Sequence, residues 1–184
     1  PATESARGRT IAVDTSGNVF TAGYFDGTVD FDPGPGTFNL TSVLDSVFVS
    51  KLDASGNFVW AKAMVSDASE NSVKGIAVDI SGNVYITGTF TSTADFDPGP
   101  PVHNLDPPGN GGVFINKLDA NGDFVWVNVM GGAGADKGYD IVVDASGDII
   151  SAGSFQNDTS DFDPGPGIFI LDAGYLGEDY FVFK

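Results

Sequence analysis

The residues of this chain whose types and spacing could do chemistry are mainly aspartates, and they come in pairs. VDFDPGPGTF at residues 29–38 carries Asp30 and Asp32; ADFDPGPPVH from Ala94 carries Asp95 and Asp97; SDFDPGPGIF from Ser160 carries Asp161 and Asp163. Two aspartates one residue apart on an extended segment point to the same side, and carboxylates with loop carbonyls are the hard oxygen donors that calcium prefers. Asp30, Asp32, Asp95, Asp97, Asp161 and Asp163 are therefore the candidate metal ligands, with Ca2+ the candidate cofactor. The phrase lacks the third acidic position and the closing Glu of an EF-hand loop. The competing reading is a structural joint: Pro-Gly suits the centre of a type II turn, so DPGPG forms a rigid double turn. Phe31, Phe96 and Phe162, each between two aspartates, then fill the gap between neighbouring units.

Catalytic and cofactor-binding constellations find no support. His103 is the sole histidine; it falls in the irregular loop of one repeat and has no equivalent in the others, which reads as a surface loop residue rather than a general base. Neither a Gly-x-Ser-x-Gly elbow nor a glycine-rich phosphate loop followed by Lys occurs. Paired carboxylates can hydrolyse glycosides, but a pair copied into every repeat behaves like architecture, whereas an active site needs one asymmetric constellation. The chain reads as a non-enzyme, with a calcium-dependent hydrolase the least favoured alternative. Trp60 and Trp126 occupy matching places and read as core packing, with a sugar-stacking platform as the minority alternative. The sequons at Asn39 and Asn157 matter only in a glycosylating host.

The elements that must position these residues are written in a repeat of 65 to 67 residues. IAVDTSGNVFTAGYF from Ile11 returns as IAVDISGNVYITGTF from Ile76 and IVVDASGDIISAGSF from Ile141; VFVSKLDASGNFVWAKAM from Val47 returns as VFINKLDANGDFVWVNVM from Val113. Each phrase is two short β-prone runs around an Asp/Ser/Gly/Asn turn, which predicts hairpins at Asp14–Asn18, Asp53–Asn57, Asp79–Asn83, Asp119–Asp123 and Asp144–Asp148. Two hairpins per period make four strands, A to D, and no stretch has helical patterning. The expectation is an all-β chain of about three four-stranded β-propeller-type blades, the last lacking its outer strand because the LDxxGxFVW pattern does not recur after Lys184. The units fall at 1–8 (lead-in), 9–65, 66–131 and 132–184. Three blades do not close a ring, so the object is a partial propeller or the protomer of a larger assembly.

Composition bounds the partners. Of 184 residues, 41% are hydrophobic, enough for a core, and the formal charge is −17. Such a field repels nucleic acid and anionic membrane and attracts cations or basic partners. There is no cysteine, so no disulfide or thiolate site. No run approaches the roughly 20 apolar residues of a membrane helix, and Pro1 opens the chain without a signal-like segment, which reads as a processed or excised chain.

GIAVDISGNVYITGTF followed by FINKLDANGDFVW resembles the SBBP-type bacterial β-propeller repeat, and the DFDPGPG variant resembles repeat arrays of large surface and secreted proteins in Bacteroidetes-like bacteria. The resemblance runs from about Gly8 to Lys184. It implies blades with strand A innermost and D outermost, and a secreted or cell-surface setting. The expected role is a non-catalytic module for structural assembly, display or adhesion; the alternative is a glycan- or protein-binding propeller using its loop face. The expected partners are further repeats of a longer parent chain, or other copies of this chain through self-association.

Overall fold

The computed structural model describes residues 5–65, 71–156, 159–163, 165, 167–174 and 177–184. Among them there are fifteen strands and no helix, and so none long and apolar enough to cross a membrane. Strands β1 (Ser5–Val13), β2 (Val19–Asp30), β3 (Asn39–Leu52) and β4 (Phe58–Met64) form an antiparallel sheet in chain order. The second unit repeats this with β5 (Ser72–Val78), β6 (Val84–Phe90), β9 (Gly112–Leu118) and β10 (Phe124–Gly132), the short hairpin β7 (Ala94–Asp95)–β8 (Asn104–Leu105) lying between β6 and β9. The third unit has β11 (Lys137–Val143), β12 (Ile149–Gln156) and β15 (Glu178–Phe183), with the hairpin β13 (Thr159–Asp161)–β14 (Ile170–Asp172) inserted before β15. The main sheets thus hold the eleven strands that the repeat predicts.

All five predicted hairpin turns form, and for the expected reason. In the first, Asp14 Oδ1 accepts the backbone N–H groups of Ser16 and Asn18, both at 2.9 Å, while Gly17 N–H donates to the Asp14 carbonyl. Gly17 and its counterparts Gly56, Gly82, Gly122 and Gly147 have φ between 80° and 87°, where a side chain is strained.

A second feature recurs that the turn chemistry does not reveal. The first strand of each unit carries a β-bulge, between Gly8 and Thr10, Val73 and Gly75, and Gly138 and Asp140. Gly23, Gly88 and Gly153 lie opposite, and a Cβ on any of them would overlap the carbonyl oxygen of Arg7, Ser72 or Lys137. The backbones approach too closely there for any other residue.

The apolar core lies in two slabs between the units. Phe20, Val49 and Trp60 of the first unit pack with Ile76, Ile86 and Phe114 of the second. Tyr85, Ile115 and Met130 from the opposite face of the second unit pack with Ile141, Phe155 and Phe181 of the third. The period-2 alternation of strands explains the division: on β9, Phe114 faces one neighbour while Val113 and Ile115 face the other. The second sheet therefore has two apolar faces. Polar contacts fix the alignment, with Trp60 Nε1 donating to the Ala120 carbonyl at 3.2 Å and Lys62 Nζ 3.0 Å from Asp123 Oδ1.

Gly88→Ala tests the close approach. Its Cβ has to displace backbone, so we expect a loss of about 1–3 kcal/mol in urea unfolding, whereas Gly56→Ala, where no atom would touch the new Cβ, shows only the smaller cost of its backbone angle.

Candidate functional site

The DFDPGPG phrases form three copies of one capped hairpin. Asp30 Oδ1 accepts the N–H groups of Asp32 (3.0 Å) and Phe38 (2.8 Å), and Asp32 Oδ1 accepts that of Gly34 (2.7 Å). Asp95 takes Asp97 and His103 at 3.1 and 2.8 Å, and Asp97 takes Gly99 at 2.7 Å. Asp161 takes Asp163 and Phe169 at 3.0 and 2.9 Å, and Asp163 takes Gly165 at 2.7 Å. The amides of Phe38 and Asp32 hold the Asp30 carboxyl below the usual carboxylate range, and those of Asp163 and Phe169 do the same for Asp161.

This geometry corrects the type II turn. That turn needs a left-handed glycine after the proline, yet Gly34 and Gly99 are not among the positive-φ glycines. The aspartate side chains organise the loop instead: each second aspartate catches the amide two residues on, and Oδ2 of Asp32 or Asp163 lies where a Cβ of Gly36 or Gly167 would stand, while the second hairpin carries Pro101 at that place.

The structure brings each predicted pair together and keeps the three pairs on separate hairpins. Among the described residues no three His, Cys, Asp or Glu side chains converge as a metal-holding group. One oxygen of every first aspartate is committed to two backbone amides, an arrangement that closes a loop. His103 has a counterpart after all. It stands eight residues after Asp95, as Phe38 does after Asp30, and its ring stacks on Phe124 at 4.9 Å where Phe38 stacks on Phe58 at 4.8 Å. It is exposed at the surface, as expected, with its ring against Phe124. Of the aromatic residues between the aspartates, Phe96 and Phe162 are buried in the two slabs, and Phe31 packs against Phe25 and Phe48. Trp60 lies in the first slab and Trp126 is half-buried beside the second, as core packing requires. The sequon at Asn157 lies outside the described residues.

Sequence reasoning missed Asp136. It is fully buried and accepts from Gly132 N–H (2.6 Å), Gln156 N–H (3.2 Å) and Ser160 Oγ (3.2 Å), and desolvation pushes its carboxyl above the usual range against those bonds. The signal available was the repeat offset: 65 residues earlier, Asn71 accepts the Thr91 N–H at 3.0 Å. Ala6 fills that place in the first unit, which hides the pattern.

Two comparisons with known proteins fit this architecture. Residues 68–97 match the SBBP family, described as a beta-propeller repeat. An uncharacterized WD repeat-containing protein of Acanthamoeba polyphaga mimivirus is 31% identical over 103 residues, an alignment that takes in 48% of this chain and 7% of that protein. The chain thus spans a small part of the relative's length. Both likenesses are to propeller repeats in general.

If the paired aspartates are caps, Asp30→Asn lowers the melting temperature slightly, because an amide oxygen still accepts both N–H groups but without the charge that strengthens them, whereas Asp30→Ala lowers it further. Excess calcium and chelator then give the same melting temperature by calorimetry. Ligation of calcium gives the opposite pattern: a rise on adding the metal that Asp30→Asn diminishes by the share of the first of the three pairs.

Proposed function

We propose that the three sheets are blades of a β-propeller-type array, with repeats at 9–65, 66–131 and 132–184, and that the chain serves as a non-catalytic structural module of a secreted or cell-surface protein, used for assembly, display or adhesion. The observation that carries this reading is the state of the two outer flanks. Ile11 is 65% exposed, while its repeat counterparts Ile76 and Ile141 are 6% and 2% exposed. At the other end Val182 is 65% exposed, against 0% for Val49 and 2% for Ile115. These side chains belong to the same inter-sheet pattern that is buried at both internal joints. Apolar surface of this kind contributes roughly 25 cal/mol per Å² when covered, and a contiguous patch marks an interaction site.

The first flank has the form of the second unit's face toward the first, and the last flank that of the first three strands of the second unit's face toward the third. The two are complementary by construction, so another repeat stacks on either end in the way the units stack internally. Contacts of this head-to-tail kind close into a ring or run on as an array. The comparisons support a propeller-repeat setting.

Light scattering tests this. The chain is expected to associate with rising concentration, and Ile11→Asp or Val182→Asp to block growth at opposite ends. Mixing those two variants leaves one intact first flank and one intact last flank, and should give a dimer and nothing larger. A stable monomer at high concentration that binds no hydrophobic dye contradicts the reading.

A further inference from the structure

The hairpins of the second and third units do more than cap themselves. Strand β13 pairs with the end of β10 from the preceding unit, Gly131 opposite Asp161 and Gly132 opposite Ser160. In the second unit the equivalent Asp95 donates its N–H to the carbonyl of Val65, just past β4, at 2.9 Å. The approach is close: Gly131 has φ of 138°, and a Cβ on Gly132 would overlap the Thr159 carbonyl and Ser160 Oγ. Buried Asp136 fixes the third-unit contact, binding the Gly132 amide and the Ser160 hydroxyl at once. The same hairpin exists in the first unit as the far ends of β2 and β3, with Val29 opposite Leu40 and Asp30 opposite Asn39. Among the described residues β1 pairs with β2 as far as Ser5 opposite Asp26, and the outer edge of Gly27–Asp30 has no strand partner there.

The opposite end of the molecule presents the complementary half. β15 pairs with β12 and leaves its other edge open, where β3 and β9 each carry a fourth strand. Phe169, counterpart of the stacked Phe38 and His103, lines an open depression of about 420 Å³ with Phe162, Val182, Phe183 and Lys184. Trp126 and Asn128, counterparts of Trp60 and Lys62, line a cleft of about 280 Å³ with Asp148, Phe183 and Lys184. Trp60 and Lys62 bond to the Ala120–Asp123 turn that leads into the next unit's fourth strand. The open edge, the aromatic shelf and the turn socket meet at Phe183 and Lys184, and all three fit one strand chemistry: Leu-Asp-Xaa-Xaa-Gly-Xaa-Phe-Xaa-Trp, as at residues 52–60 and 118–126.

We propose that the DFDPGPG hairpin is an inter-repeat clip, and that the open clip of the first unit and the open edge of β15 are two halves of a splice site for a fourth strand of this repeat. The strand body seats on β15 and its end is gripped by the hairpin of the next repeat. This rests on the array reading above but is tested separately from it. The probe is a synthetic peptide of residues 118–132, added in trans to the full chain and followed by residue-resolved amide exchange. At ten times its dissociation constant it should slow exchange about tenfold at the outward amides of β15 and at Val29–Asp30, and raise the scattering mass by bridging two molecules. A peptide ending at residue 130 should protect β15 alone, and one with Ser at positions 124 and 126 should protect neither.

Equal protection by all three peptides, or none by any, overturns the site; protection of β15 without Val29–Asp30 overturns the clip. Protection at β15 in a chain that never associates through its flanks would keep the strand site and refute the array. Flank association with no peptide protection would do the reverse.

Discussion

Everything in this molecule depends on sheets that are apolar on both faces. A strand alternates its side chains, and in the second unit both sets are hydrophobic: Phe114 and Ile86 look toward the first unit, Ile115 and Tyr85 toward the third. Such a sheet cannot be satisfied by one neighbour. It needs another on each side, and so the fold propagates as nearest-neighbour joints. The exposure of Ile11 and Val182 is the same requirement left open at the two ends.

The polar chemistry serves that stacking. Most of the carboxylates whose surroundings are defined accept backbone amides in turns and hairpins, which accounts for the dominance of Asp over Glu and for much of the net charge of −17. Accumulated charge of one sign repels itself, and the Lys184 contacts to Asp144 and Asp148 at 3.0 and 3.1 Å are among the few ion pairs that relieve it among the described residues. Asp136 differs because it is buried. Its carboxylate costs solvation, opposed by three donors from the two units that it joins, and it stands where the hairpin of one repeat meets the last strand of the one before.

The turns and the strand count were legible because Asp and Gly recur at fixed offsets and each has a local job. Asp14, Asp79 and Asp144 cap their turns through contacts within five residues, so the sequence window contains the whole interaction. The grip of the hairpin on its neighbour was not legible. Its partners, Val65 and Gly131–Gly132, share no pattern, and the pairing depends on tertiary placement. The type II turn was misread because Pro-Gly satisfies both that turn and an aspartate-closed loop, and the backbone angle of Gly34 separates them. His103 reads as a surface residue and is one, and its place in the phenylalanine column, where a flat ring lies against the next hairpin, emerged only from the structure.

The central claim is that one sheet has no independent stability and is held folded by the sheets on either side. Its most direct test is circular dichroism and denaturant unfolding of the middle unit alone, residues 71–132, beside the 184-residue chain. The account predicts a whole chain that unfolds cooperatively and an isolated unit that is unfolded or aggregated, because both its apolar faces are uncovered. A soluble, monomeric middle unit with a cooperative transition of its own would contradict it.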